Sequence, residues 1–341
     1  MPLVLSVSAC SSAQKTEDAP AKTGESEVVS ETTKSVEVTE SEQEKESTSQ
    51  EVTPLGTVSA NLAEDKDALI STYTDKFSQE TYSDSDTGLS ITYNLYLPEG
   101  YDESKSYPMV VFIADSSCAG NDATRSLSQG RGALVWASEA WQSVNPTIVA
   151  VPTYPATILD DHGSYTTTEY VELTKRYIDY MSKSYSVDTN RIYGTGQSMG
   201  CMTTLILASK YPDLYAACMF VDGQWDVSTL QGLRDQTFVY FAAEDDERAW
   251  SGAQEVMSML DSSSTSYKYK QWDGNWSVNE LSDAASNLFT EDEDRYFISW
   301  KSGTIDASNS HMQGSVAYHM ASFDYAYNCV AVMEWLFQQS K

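Results

Sequence analysis

Ser198 stands between two glycines in Gly196-Gln197-Ser198-Met199-Gly200, the spacing a nucleophilic hydroxyl on a tight turn requires. Side chains at the flanking positions would crowd the bend, so glycine lets the hydroxyl stand clear of the chain. The amide of Met199 is then expected to face the place where an oxyanion would develop. A hydroxyl attacks only once a base has taken its proton, and a carboxylate must orient that base. The chain has 3 histidines. His162 precedes the serine, in Asp160-Asp161-His162-Gly163, whereas in a site of this type the acid and then the base follow the nucleophile. His311 and His319 both follow it, and His319 is favoured because it leads into the last helical stretch. For the acid, Glu244, Asp245 and Asp246 come off the end of the apolar run from Thr237 to Ala242. Asp245 is selected for its distance from the end of that run, with Asp246 the close rival.

The elements that must hold these groups are legible as alternating apolar runs and amphipathic stretches. Met109 to Ala114 and Thr147 to Val151 are unbroken apolar runs, as expected of parallel strands covered on both faces. Tyr170, Leu173, Tyr177 and Met181 recur at helical spacing. Arg191 to Thr195 reads as the strand entering the glycine-framed turn, and Met202, Leu205 and Ile206 as the face of the helix leaving it. Further strands are expected at Ala217 to Val221, Thr237 to Ala242, Tyr267 to Trp272 and Tyr296 to Trp300. The last helix should place Ala326, Val330, Met333 and Phe337 on one side. The pattern is α/β, a mostly parallel sheet with helices on both faces. Gly223-Gln224-Trp225 follows the strand after the nucleophile helix, so Gln224 and Trp225, with Gln197, are expected to meet substrate; Trp225 suits either stacking on a ring or capping the core. The span from Trp272 to Trp300 suits a partial lid or plain packing.

Composition narrows the partners. Of 341 residues, 50 are acidic and 21 basic, a formal net charge of -29, which argues against nucleic acid. Residues 11–56 carry no aromatic side chain and are dominated by Ser, Thr, Glu and Lys, and are expected to form a disordered acidic linker. The apolar start ending in Val7-Ser8-Ala9-Cys10 resembles a bacterial lipobox, though shortened and without a basic leader. That resemblance implies a truncated lipoprotein signal over residues 1–10, lipidation of Cys10 and a membrane contact through the lipid anchor only. Residues 57–341 are expected to form one catalytic domain, with the part before Leu89 a leading arm. Cys118, Cys201, Cys218 and Cys329 show no C-x-x-C pairing, so they are read as buried free thiols rather than zinc ligands.

Three stretches carry a wider resemblance: Arg191 to Gly200, Lys210-Tyr-Pro-Asp-Leu-Tyr-Ala-Ala217, and His319 to Phe337 with its closing Glu-Trp-Leu-Phe. Together they resemble the poly(3-hydroxybutyrate) depolymerase and feruloyl esterase group of secreted α/β-hydrolases. The resemblance implies the α/β-hydrolase fold and a serine carboxylic ester hydrolase working through an acyl-enzyme, with Ser198, Asp245 and His319 in the motif positions and no metal or cofactor. It implies a cell-surface enzyme acting on feruloyl or acetyl esters of plant polysaccharide, or on short polyesters, with a serine peptidase of the same fold and a catalytically inactive binding lipoprotein as the alternatives. That group carries a His-Gly pair after its first central strand and another before the acid. Here Ile113-Ala114-Asp115-Ser116 and Phe241-Ala242 stand instead, so Asp115 or Ser116 is expected to supply the second oxyanion donor.

Overall fold

A computed structural model describes residues 51–52, 65–308 and 312–341; Cys10, nearly all of the expected linker and His311 lie outside the described residues. In chain order the strands are β1 (Glu51–Val52), β2 (Ser78–Ser83), β3 (Ser90–Tyr96), β4 (Lys105–Ile113), β5 (Ile148–Thr153), β6 (Leu159–Asp160), β7 (Thr166–Thr167), β8 (Val187–Gln197), β9 (Ala217–Val221), β10 (Phe238–Ala243), β11 (Lys268–Trp272) and β12 (Arg295–Trp300). The helices are α1 (Lys66–Tyr73), α2 (Arg125–Ser128), α3 (Glu139–Gln142), α4 (Glu169–Ser184), α5 (Met199–Lys210), α6 (Glu247–Ser262), α7 (Val278–Phe289), α8 (Ser315–Ala326) and α9 (Val330–Phe337).

The main sheet runs β11-β12-β10-β9-β8-β4-β5-β3-β2. Neighbours from β11 to β5 pair in parallel, while β3 and β2 close one side antiparallel. The leading arm is therefore part of the sheet, a feature its mixed polar sequence did not announce, because an exposed antiparallel edge buries few side chains. Glu51–Val52, at the end of the expected linker, also pairs in parallel with Lys105 and Ser106. Such pairing uses backbone groups alone and asks little of the side chains. The register of β4 against β8 shifts between Tyr107 and Met109, where Pro108 has no N–H to give.

Alternation along the strands feeds two cores. Val110 and Phe112 of β4, Val239 and Phe241 of β10 and Met219 of β9 pack on one face with α7 and α9. Met109, Val111 and Ile113, with Phe220 and Tyr240, pack on the other with α4, α5 and α6. The expected last helix is broken into α8 and α9. Ala326 ends α8, the chain turns at Tyr327 to Cys329, and Val330 opens α9; all four expected apolar positions are nonetheless buried. The Trp272 to Trp300 span takes the packing alternative. Leu281, Ala285 and Leu288 of α7 are buried, and Phe289 stacks on Trp335 with ring centroids 4.8 Å apart. Cys118, Cys201, Cys218 and Cys329 are free and buried.

The chain runs from β4 to β5 on one side, then returns to lay β8 on the other side of β4. That reversal leaves a crevice beyond the carboxyl ends of β4 and β8, the place where open α/β sheets bind ligands.

Candidate active site

Ser198 sits between β8 and α5 with φ 51° and ψ -117°, a backbone conformation that is strained for a residue with a side chain. The bend survives because its neighbours are minimal. A Cβ on Gly200 would lie 1.8 Å from the Ile113 carbonyl oxygen, and one on Gly196 2.7 Å from the same atom. The Ser198 N–H donates to the Val221 carbonyl at 3.1 Å, which ties the turn to β9. Met199 opens α5, so its amide is among the first-turn donors that a helix cannot satisfy internally.

His319 comes not from a loop but from the second turn of α8. Its Nε2 lies 2.8 Å from Ser198 Oγ and its Nδ1 lies 2.5 Å from Asp246 Oδ2. This network assigns the Nδ1 hydrogen to the carboxylate and leaves Nε2 to accept from the serine. Phe323, one turn further along α8, meets the imidazole edge on at 4.9 Å between centroids. Burial alone would lower the imidazole pKa. The hydrogen bond to Asp246 and the charge of that carboxylate lead the effects that outweigh burial and raise the pKa above its ordinary 6.5.

The acid beside the imidazole is Asp246, not Asp245. Asp246 is 4% exposed and is the N-cap of α6, its Oδ1 accepting the Ala249 N–H at 3.3 Å. Asp245 turns elsewhere and accepts the Ser302 hydroxyl at 2.5 Å and the Gly303 N–H at 2.7 Å. The sequence does hold a signal for Asp246: an Asp three residues ahead of Ala249, where the periodic run Ala249, Ala253, Val256 and Leu260 begins, has N-cap spacing, and capping turns its carboxylate back over the helix start.

A cavity of about 890 Å³ opens over Ser198 and His319. Met199, Asp115 and Ser116 all line it. Asp115 is buried and caps the short turn Ser116–Cys118, accepting the Ser117 N–H at 2.8 Å, so Ser116 is the first residue of that turn. Of the residues expected to meet substrate, Gln224 lines the cavity and the other two are turned to structural work. Gln197 is buried and donates to Asp115 Oδ2 at 3.3 Å and to Gln129 Oε1 at 2.6 Å, bracing the Asp115 loop. Trp225 is buried and packs edge on against Tyr165 at 5.2 Å, the core-capping alternative.

One wall of the cavity is the hairpin of β6 and β7, whose short, mostly polar strands carry no local mark of that position. Asp161 holds it down: its Oδ2 receives Gln224 Nε2 at 2.5 Å and pairs with Arg248 Nη2 at 2.8 Å. Arg248 Nη1 also lies 3.3 Å from His162 Nε2. Arg248 belongs to the first turn of α6, the helix that Asp246 caps.

An Esterase family model matches residues 85–303, more than half of the chain. The chain belongs to this family. It is 28% identical over 126 residues to acetylxylan esterase A of Emericella nidulans, a stretch covering 30% of this chain and 41% of that protein. It is 37% identical over 49 residues to poly(3-hydroxyalkanoate) depolymerase C of Paucimonas lemoignei, 14% of this chain and 12% of that one. These matches thus span less than half the length of either relative. The crystal structure of a thermostable esterase superposes with TM-score 0.63 at 24% identity, over 79% of this chain and 64% of that chain. A ferulic acid esterase superposes with TM-score 0.50 at 12% identity, over 77% of this chain and 98% of that chain. At such identities the superpositions establish the fold, which is that of the α/β-hydrolases, as expected. Among the described residues of this esterase-family chain, no helix is long and apolar enough to cross a membrane.

Proposed function

We propose that the protein is a serine carboxylic ester hydrolase that works through an acyl-enzyme. The observation that carries this reading is the continuous line from Ser198 Oγ through the His319 ring to Asp246, with steps of 2.8 Å and 2.5 Å. In the first half-reaction Ser198 Oγ bonds to the ester carbonyl carbon as its proton passes to His319 Nε2. The Met199 amide, with that of Ser116 or Asp115, steadies the oxyanion; one such donor is worth about 3 to 4 kcal/mol in related sites. The carbon–alkoxide bond then breaks, and His319 delivers the proton to the leaving alcohol. In the second half-reaction water gives a proton to His319 and its oxygen displaces Ser198 Oγ, which recovers that proton. Asp246 holds the imidazole tautomer and balances the transient imidazolium throughout.

The cavity supports neutral, bulky esters as substrates. Its apolar lining of Leu159, Met199, Met202, Val316 and Met320 suits an acyl or aryl group, while Thr166, Thr167, Thr168 and Asp161 offer partners to hydroxyls. A net charge of -29 disfavours anionic polymers. Feruloyl or acetyl esters of plant polysaccharide, or short polyesters, fit these demands, and the lipobox-like Val7-Ser8-Ala9-Cys10 supports a lipid-anchored location outside the cytoplasm. The test is a panel of methyl ferulate, acetylated xylan, a short polyhydroxyalkanoate, an aryl ester and an aryl amide, run beside Ser198→Ala. Ester turnover that disappears in the variant supports the proposal; turnover that persists, or amide cleavage without ester cleavage, overturns it.

A further inference from the structure

Asp222 directly follows β9, is wholly buried and holds φ 42°. The acyl-transfer scheme gives it no task. Its Oδ1 accepts the Ala243 N–H at 2.7 Å, and its Oδ2 lies 2.6 Å from Ser322 Oγ. Ala243 ends β10 and its carbonyl receives the Asp246 N–H at 3.0 Å, so it belongs to the turn that presents the acid. Ser322 lies on α8 one turn beyond His319. One carboxyl group therefore fastens the segment bearing the acid to the helix bearing the base.

The count of hydrogens specifies which form of the carboxyl does this. Ser322 Oγ lies 2.9 Å from the His319 carbonyl oxygen as well as 2.6 Å from Asp222. A hydroxyl has one hydrogen to give. Both contacts are hydrogen bonds together when Asp222 is protonated, donates to Ser322 Oγ, and lets the serine hydrogen go to the His319 carbonyl. An ionised Asp222 would claim the serine hydrogen and leave the carbonyl contact without one.

The surroundings favour the same form. Asp246 from the β10 turn, His319 from α8, Cys201 from α5, Tyr240 from β10 and Tyr327 beyond α8 are the titratable groups that act on it. Burial holds the thiol and both phenols protonated, so Asp246 is the one negative charge among them. Burial first, and then the charge of Asp246, push the Asp222 carboxyl up to about 7.

We propose that Asp222 is a positioning residue of the triad that works as a neutral carboxylic acid, tying the Asp246 turn to the His319 helix. This rests on the serine-hydrolase reading above. Asp222→Asn preserves both links, with its amide N–H₂ facing Ser322 and its C=O facing the Ala243 N–H, whereas Asp222→Ala removes both. On an aryl ester near neutral pH, Asp222→Asn is expected within about threefold of wild-type kcat. Asp222→Ala is expected to lose about 100-fold in kcat with KM near wild type, the scale of a 1 Å misalignment. A folded Asn variant as impaired as the Ala variant overturns the neutral-acid assignment, and an Ala variant with wild-type kcat overturns the positioning role. Should the Ala variant not fold, the infrared difference between wild type and Asp222→Asn decides. At about pH 5, well below the value at which Asp222 ionises, a buried protonated-carboxyl stretch is expected in the wild type alone, and its absence there overturns the proposal. Activity surviving in Ser198→Ala would instead sink the serine-hydrolase reading and leave the infrared result standing.

Discussion

Asp246 Oδ2 closes on His319 Nδ1 at 2.5 Å, while its chain neighbour Asp245 spends its carboxylate on the Ser302 hydroxyl and the Gly303 N–H. Adjacent acids with different partners predict different costs. Asp246→Asn is expected to lower kcat by about a thousandfold or more, because an amide favours the wrong imidazole tautomer. Asp245→Asn is expected to stay within about threefold, since it touches a loop and not the imidazole. Steady-state kinetics of the two variants on an aryl ester separates them, and equal losses would contradict the geometry.

The raised pKa of His319 sets an acid limb. The imidazole must be neutral to accept the Ser198 proton, and its surroundings hold the protonated form to a pH above the ordinary 6.5. The value of kcat/KM should therefore climb with pH through a midpoint above 6.5. A pH profile with its limb below that value would show that the carboxylates do not act on the ring as the structure implies.

Gly200 bears on stability as much as on chemistry. Its missing Cβ would meet the Ile113 carbonyl oxygen at 1.8 Å, and that oxygen is backbone and cannot yield cheaply. Gly200→Ala should cost about 1 to 3 kcal/mol or more, as overpacked sites do. Thermal unfolding measures this, and an unchanged Tm would mean that the elbow is looser than described.

The Asp161 and Arg248 pair predicts a change in affinity. Freed from Arg248 at 2.8 Å, the hairpin of β6 and β7 retains Gln224 as a partner but loses its tie to α6. Arg248→Ala is expected to raise KM for a bulky ester about tenfold while kcat moves less than threefold, the pattern of lost uniform binding. A small acetyl ester should show little change, and an equal effect on both substrates would locate the role of Arg248 elsewhere.

Asp222 also shapes stability against pH. Its folded pKa of about 7 exceeds the ordinary 3.8, so its stabilising contribution is full below 3.8 and is lost as pH rises through about 7. Asp222→Asn cannot ionise. Its Tm relative to wild type should therefore improve between about pH 4 and about pH 8. A difference that stays flat across that window would show that burial does not penalise the charge.

The parts of this site that were legible in the chain are those encoded locally. Two glycines at fixed spacing marked the elbow at Ser198, and chain order after the nucleophile singled out His319 over His162. Strand positions followed from unbroken apolar runs, with β9 matching its expected span from Ala217 to Val221. The acid was missed by one residue because side-chain direction at a strand end depends on where the next helix begins, and α6 begins at Glu247. Gln197 and Trp225 lie next to the site in sequence yet face inward, since burial is decided by neighbours distant in the chain. Asp222 and Ser322 are 100 residues apart and Arg248 and Asp161 are 87 apart, so no spacing rule could have joined them.

The backbone of Ser198, held at φ 51°, comes with a latent trade. Glycine adopts that torsion freely, so Ser198→Gly should relieve strain of about 1 to 3 kcal/mol and yield a sturdier but inert protein.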